Sequence, residues 1–144
     1  MWGIIVALIS GALMSVQGVF NTAVTKQSGI WLSAAFVQLT AFVVCVVAWI
    51  FTGKEKIATL WEVTPKYLLL GGVIGAFITI TVIQSMSALG PGKAAMLIVI
   101  SQLIVAYGIE LLGIFGVDKQ SFEFRKVIGL VIAIVGIIIF KWER

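Results

Sequence analysis

Five uninterrupted apolar runs, each near the ~20 residues that a bilayer demands, limit what this chain can fold into more than any other feature. They cover approximately residues 2–25, 30–51, 67–87, 93–115 and 121–140. A spanning segment must satisfy its own backbone, and these runs are continuously apolar rather than alternating. Helices are therefore expected, not barrel strands. The chain is 61% hydrophobic and only 11% charged, against about a quarter charged in soluble domains. The fold class is an all-α integral membrane protein, with residues 1–144 expected to form a single domain of five transmembrane helices. Trp2, Trp31, Trp49, Trp61, Tyr67 and Trp142 fall at or just beyond the ends of the runs, as an interfacial aromatic belt does. The first run is too long for a signal-peptide core and no basic stretch precedes it, so it reads as a span.

One charge breaks the apolar pattern. Glu110 sits inside the fourth run, whereas Glu55, Glu62, Asp118, Glu123 and Glu143 lie in connections or at the terminus. A charge in hydrocarbon costs at least ~2.5–3.5 kcal/mol on insertion scales, so one that persists marks a protein interior or a wet pathway. Gln102 precedes Glu110 by eight positions and Tyr107 by one turn. At about 100° per residue, Ala106, Tyr107, Glu110 and Gly113 share one sector of a helix. Two readings stand: an acid that handles substrate or protons, or one bonded to Tyr107 that locks the bundle. The remaining chemistry is sparse. Cys45 is the one cysteine and histidine is absent, so neither a metal site nor a catalytic triad can be assembled within one chain. No metal, no cofactor and no enzyme activity are expected, and Cys45 reads as a small core residue. The net charge of +4 is spread over short loops and speaks to topology rather than to nucleic acid.

The other runs carry polar and small residues at helical spacing. Gly11, Ser15, Gly18 and Thr22 form a small-residue stripe on the first, beside the amides of Gln17 and Asn21 one turn apart. Those amides either fix packing or face substrate. Gln38 in the second run reads as interhelical glue. The connection 52–65 contains Lys54-Glu55-Lys56 and Trp61-Glu62, an interfacial turn or short helix, and Pro65 suits the start of the third helix. Gln84 and Ser85 near the end of the third run are candidates for a secondary polar lining. Leu89-Gly90-Pro91-Gly92-Lys93 then breaks the helix; no strand precedes it and no Gly-Lys-Ser/Thr follows, so it is a connector and not a phosphate loop. Gly129, Ala133 and Gly136 in the last run repeat a small-residue stripe suited, with Gly11 and Gly18, to dimer or helix packing.

An odd number of spans puts the termini on opposite sides. The N-terminal side then holds Lys54, Lys56, Lys66, Lys119, Arg125 and Lys126, and the other side Lys26, Lys93, Lys141 and Arg144. Six against four is a shallow bias that favours the N-terminus inside and permits dual topology. On this reading Glu110 lies about five residues, or ~7–8 Å, from the end of its span. An antiparallel dimer would bring it level with Asn21 and Gln84 of the other copy, an arrangement used by inverted-repeat transporters.

The stretch from Gly11 through Gln17 to Asn21, with Gln102, Glu110 and Gly113, resembles the YdcZ-like short family of the drug/metabolite transporter superfamily. The likeness runs through the five apolar runs, including Gly71-Gly72 and Gly75-Ala76-Phe77. Two departures stand out. The family's acid is commonly Asp, and its first-span motif usually has a proline where this chain has Met14-Ser15. The resemblance implies a bacterial inner-membrane protein working as a pair of five-helix units, a homodimer or a pair with a homologous chain. Ten helices then form an inverted-repeat, antiparallel assembly. The resemblance supplies a transport class and names no solute; together with the intramembrane carboxylate it points to a small secondary transporter moving a small organic solute by alternating access, a cation or polar metabolite favoured, with proton coupling through Glu110 as one option. Substrate and coupling residues would be Glu110, Gln102, Tyr107, Gln17 and Asn21. The alternatives are a passive channel-like dimer, or a non-transporting accessory membrane subunit. Partners are the substrate and membrane lipid.

Overall fold

The structure, a computed structural model, describes residues 1–53 and 56–141, the side chain of Lys141 excepted. Lys54 and Glu55 of the expected interfacial turn, and Trp142 of the expected aromatic belt, lie outside the described residues. Among the described residues every regular element is helical: α1 (Trp2–Ser28), α2 (Ile30–Thr52), the single turn α3 (Thr59–Glu62), a 3₁₀ turn (Lys66–Leu70), α4 (Gly71–Leu89), α5 (Pro91–Leu112) and α6 (Phe124–Lys141). Four stretches are long and apolar enough to cross a membrane: Trp2–Ser28, Ile30–Thr52, Lys66–Leu89 and Pro91–Leu112. The fifth apolar run forms α6, but Arg125 and Lys126 occupy its first turn and Lys141 its end. Its uncharged part, 127–140, is roughly 21 Å long at 1.5 Å per residue, short of the ~30 Å hydrocarbon core.

Several hydroxyls inside these apolar helices find partners within their own helix, although the buried Thr25 Oγ1 has none. Ser15 Oγ donates to the Gly11 carbonyl at 3.2 Å, Thr22 Oγ1 to Gly18 at 2.8 Å, Thr79 Oγ1 to Gly75 at 3.0 Å and Thr81 Oγ1 to Phe77 at 2.8 Å. A donor one turn from its acceptor needs no second helix, which is how a lipid-facing helix tolerates Ser and Thr. Amides cannot close on themselves in this way.

Contacts divide the chain into two compact units, 1–88 and 89–144. In the first, α1 packs on α2, and the buried Ser33 Oγ donates to the Asn21 carbonyl at 3.3 Å. Gly18 is buried because α4 lies against it: a methyl group there would meet Met86 Sδ and Cε at 2.5 Å. Ile83 and Met86 are the buried apolar side chains that α4 contributes to this contact region. The Gln38 amide reaches α4 as well, 3.6 Å from where a Gly75 side chain would begin. Cys45 corrects the sequence reading, since it is exposed on α2 rather than in a core. So are Phe20, Phe42 and Ile74; in a bilayer this apolar surface is solvated by lipid. The helices α1 and α2 meet at a single residue, Gly29, with φ 80° and ψ 158°, and α4 and α5 meet at Gly90 with the same angles. Only glycine enters that region without strain. The expected five-residue break at 89–93 thus contracts to one residue, with Pro91 opening α5, where its missing N–H costs nothing.

Candidate functional site

The second unit is built from α5, α6 and the connector between them, and α5 packs on α6. Helix α5 stops earlier than hydropathy suggests. Gly113 takes a left-handed cap conformation (φ 63°), its N–H donating to the Ile109 carbonyl at 2.9 Å. A side chain at Gly113 would strike Lys119 Cβ at 2.7 Å, so glycine is what lets the connector fold back. Gln120 N–H then donates to the Glu110 carbonyl at 2.8 Å. The expected span end at Phe115 is therefore corrected to Leu112. Ile114 and Phe115 are apolar, but they belong to a turn. Glu110 consequently lies two residues before the helix ends, or roughly 3 Å along the axis, nearer the helix end than the sequence implied.

Lys126, in the first turn of α6, donates through Nζ to Glu110 Oε2 at 3.2 Å. The two side chains are 38% (Lys126) and 42% (Glu110) exposed. Each charge is poorly placed on its own helix. A carboxylate faces the negative end of the α5 dipole, and an ammonium the positive end of the α6 dipole. Brought together across the turn, each complements the other's helix end. An acid read from sequence as needing a partner from a second copy finds a cation in its own chain. The alternative in which Tyr107 bonds Glu110 is not the arrangement observed, because the Tyr107 hydroxyl is engaged elsewhere. It donates to the Glu123 carbonyl at 3.4 Å and accepts from Glu123 N–H at 3.2 Å. The ring lies 5.7 Å from Lys126 Nζ, within reach of a cation–π contact.

Two cavities share this ion pair as a common wall. The larger, about 430 Å³, is lined by Leu103, Ala106, Tyr107, Glu110, Lys126, Gly129 and Leu130. It is mainly apolar with one charge pair at its edge, the composition usual for a small-molecule site. The smaller, about 290 Å³, is lined by Val117, Asp118 and Gln120 with the same Glu110 and Lys126, and is the polar face of the pair. Lys126 was missed as a site residue because it was assigned to topology. The available signal was that the end of one span and the first turn of the next must be neighbours when a short connector joins them.

Residues 2–139 match the family described as "Putative inner membrane exporter, YdcZ". The chain belongs to the YdcZ family. No curated protein and no solved structure shows a detectable match to it. With that family and four span-competent helices, it is a multi-pass inner-membrane protein.

The other residues singled out in this YdcZ-family chain are distributed as follows. Gln17 and Asn21 line a second, open groove of about 550 Å³ along α1, with Ser10, Met14 and Phe20; it lies wholly within the first unit. Gln102 is exposed on α5 and does not line the cavity at Glu110. Gln84 is exposed on α4, while Ser85 Oγ donates to its own helix at the Val82 carbonyl, 2.9 Å. Of the small residues, Gly18 is packed against Met86, whereas Gly11, Gly129 and Gly136 have open space where a side chain would go. Ala133 is half-buried.

Proposed function

We propose that the chain is a small secondary exporter in which Glu110 and Lys126, with Tyr107, form the substrate and coupling site. The observation that carries this reading is a half-exposed charge pair lining a mainly apolar cavity of about 430 Å³ in an inner-membrane protein. A pair serving only to staple two helices has no need of a cavity on either side. The cargo is a small organic solute, a cation or polar metabolite, that competes with the Glu110–Lys126 contact. A proton taken up by Glu110 would release Lys126 in the same way, which offers a route to coupling.

The working unit in this proposal is a five-span domain, 1–144, paired with a second copy or a homologous chain in antiparallel orientation, so that two chains supply the two inverted five-helix repeats of a ten-helix transporter. The fifth span is α6. Pairing with Glu110 offsets the charge of Lys126, and Arg125 reaches the interface by snorkelling along its stem. The six-to-four distribution of basic residues supports dual topology, and the open faces at Gly11, Gly129 and Gly136 support close approach of a second copy. Gln17 and Asn21 in their groove, with Gln84, Ser85 and Gln102, are proposed to line the path in that assembly.

The test is solid-supported-membrane electrophysiology on reconstituted protein, wild type beside Glu110→Gln. The panel contains organic cations, polyamines, sugars and amino acids under an imposed pH gradient. Current for one solute class that vanishes in the variant is the expected result. Equal currents in both proteins would reduce Glu110 to a structural role.

A further inference from the structure

Lys126 changes which ligands the Glu110 site suits. A lone intramembrane carboxylate selects cations. Here a monocation approaching Glu110 also meets the Lys126 ammonium, 3.2 Å from the same carboxylate, so attraction and repulsion largely cancel. A monoanion meets the mirror problem. A ligand carrying both charges a short distance apart meets neither, because it can lie antiparallel to the pair with the four charges alternating in sign.

We infer that the Glu110–Lys126 pair is a receptor for a zwitterion, whose ammonium takes Glu110 and whose anionic group takes Lys126. The inference rests on the substrate-site reading above and narrows it to one chemical class. Capacity exists on both partners. A carboxylate offers about four acceptor positions and an ammonium about three donors, and their mutual contact runs through Oε2 and a single Nζ. The pair stays half-exposed, so a ligand reaches it without opening the helices. On one side the wall is Leu103, Ala106 and Leu130, which suits an aliphatic substituent. On the other are Asp118 and Gln120, a polar approach that favours the ammonium end entering toward Glu110. The Tyr107 ring holds Lys126 from one face, leaving it oriented toward the carboxylate and whatever binds beside it. An α-amino acid with an aliphatic side chain and an ethanolamine phospholipid headgroup both present this chemistry.

The test is equilibrium binding of radiolabelled leucine to the full chain in phosphatidylglycerol vesicles, which hold no zwitterionic lipid. Leucinamide serves as the cationic competitor and N-acetylleucine as the anionic one. Unlabelled leucine should displace the label at least about tenfold better than either analogue, since each analogue gives up one charge-assisted contact. Glu110→Gln and Lys126→Gln should each weaken leucine binding by about tenfold. The analogue comparison uses the wild-type protein, so it stands even if a variant fails to fold. Adding phosphatidylethanolamine identifies the source. Loss of leucine binding makes the lipid headgroup the resident zwitterion, and unchanged binding makes it a soluble amino acid; either outcome supports the pair as a zwitterion receptor. Absence of leucine binding in phosphatidylglycerol, or leucinamide competing as well as leucine, overturns it. The two proposals fail separately. Leucine bound but never transported removes the exporter reading alone, whereas Glu110-dependent current from a monocation without leucine binding removes this one alone.

Discussion

The two units of the chain solve the same problem, polar groups in an apolar solvent, in different ways. In residues 1–88 the hydroxyls close on their own helices and the helices approach through Gly18, which seats Met86. No ion pair links α1, α2 and α4 among the described residues. In residues 89–144 the helices are instead joined by a charge pair, Glu110–Lys126, and by a tyrosine hydroxyl on the backbone of the connector. Close packing at Gly18 leaves no room for a ligand between α1 and α4; the first unit's open groove runs along α1 instead. A charge pair at a cavity edge leaves both room and a contact that a ligand can replace. The first unit's helices are held by packing at Gly18, and the second unit's by a charge pair that, in the proposed function, a ligand can replace.

That contrast makes Glu110→Gln the most damaging single change to function and a mild one to the fold. Solute-dependent current should fall by about tenfold or more, while the far-ultraviolet circular dichroism of the purified protein stays unchanged. A comparable loss from a conservative change within the first unit that leaves its packing intact would contradict this contrast.

Gly18→Leu tests the other half. With Met86 at 2.5 Å from a first methyl group, the added bulk should cost about 1–3 kcal/mol, read as a lower denaturation midpoint in detergent. Gly72→Leu, on the same unit but with open space at that position, should change stability by less than about 0.5 kcal/mol. Equal effects at both positions would mean that Gly18 does not mark the packed face.

In the connector, Gly113→Ala forces a side chain into a left-handed conformation against Lys119. A loss of about 1–2 kcal/mol is expected. Current should fall as well, because the turn sets Lys126 opposite Glu110. Among changes at the site the smallest effect belongs to Tyr107→Phe, which removes the hydroxyl shared with the Glu123 backbone but keeps the ring beside Lys126. It should cost about 1 kcal/mol, with solute selectivity retained. A change in selectivity would place the hydroxyl itself in the ligand site.

Much of this architecture was legible in the chain. Continuous hydropathy locates the apolar helices, because in lipid no other backbone arrangement satisfies such runs. The Gly90-Pro91 break follows from backbone chemistry, and Glu110 stands out because charge in hydrocarbon is costly. The end of α5 was not legible. Ile114 and Phe115 prolong the hydropathy signal past Leu112, whereas the stop is set by the backbone conformation of Gly113, to which hydropathy is blind. With that stop, Glu110 lies closer to the end of its helix than the hydropathy signal places it. The side-chain partner of Tyr107 was equally hidden, since helical spacing brings it near Glu110 but only the folded connector brings Glu123 to its hydroxyl. Cys45 was misread because in a membrane helix a small apolar side chain does as well facing lipid as facing a core.

If Glu110 works by exchange of partners within a transport cycle, as proposed, counterflow reports it most directly. Vesicles containing the protein are preloaded with the unlabelled solute that gives the largest Glu110-dependent current, then diluted into a trace of the labelled one. The wild type should accumulate label transiently above its equilibrium level, and Glu110→Gln should not. Uptake that ignores preloading and fails to saturate would show a passive pore, and counterflow undiminished in Glu110→Gln would remove the carboxylate from the mechanism.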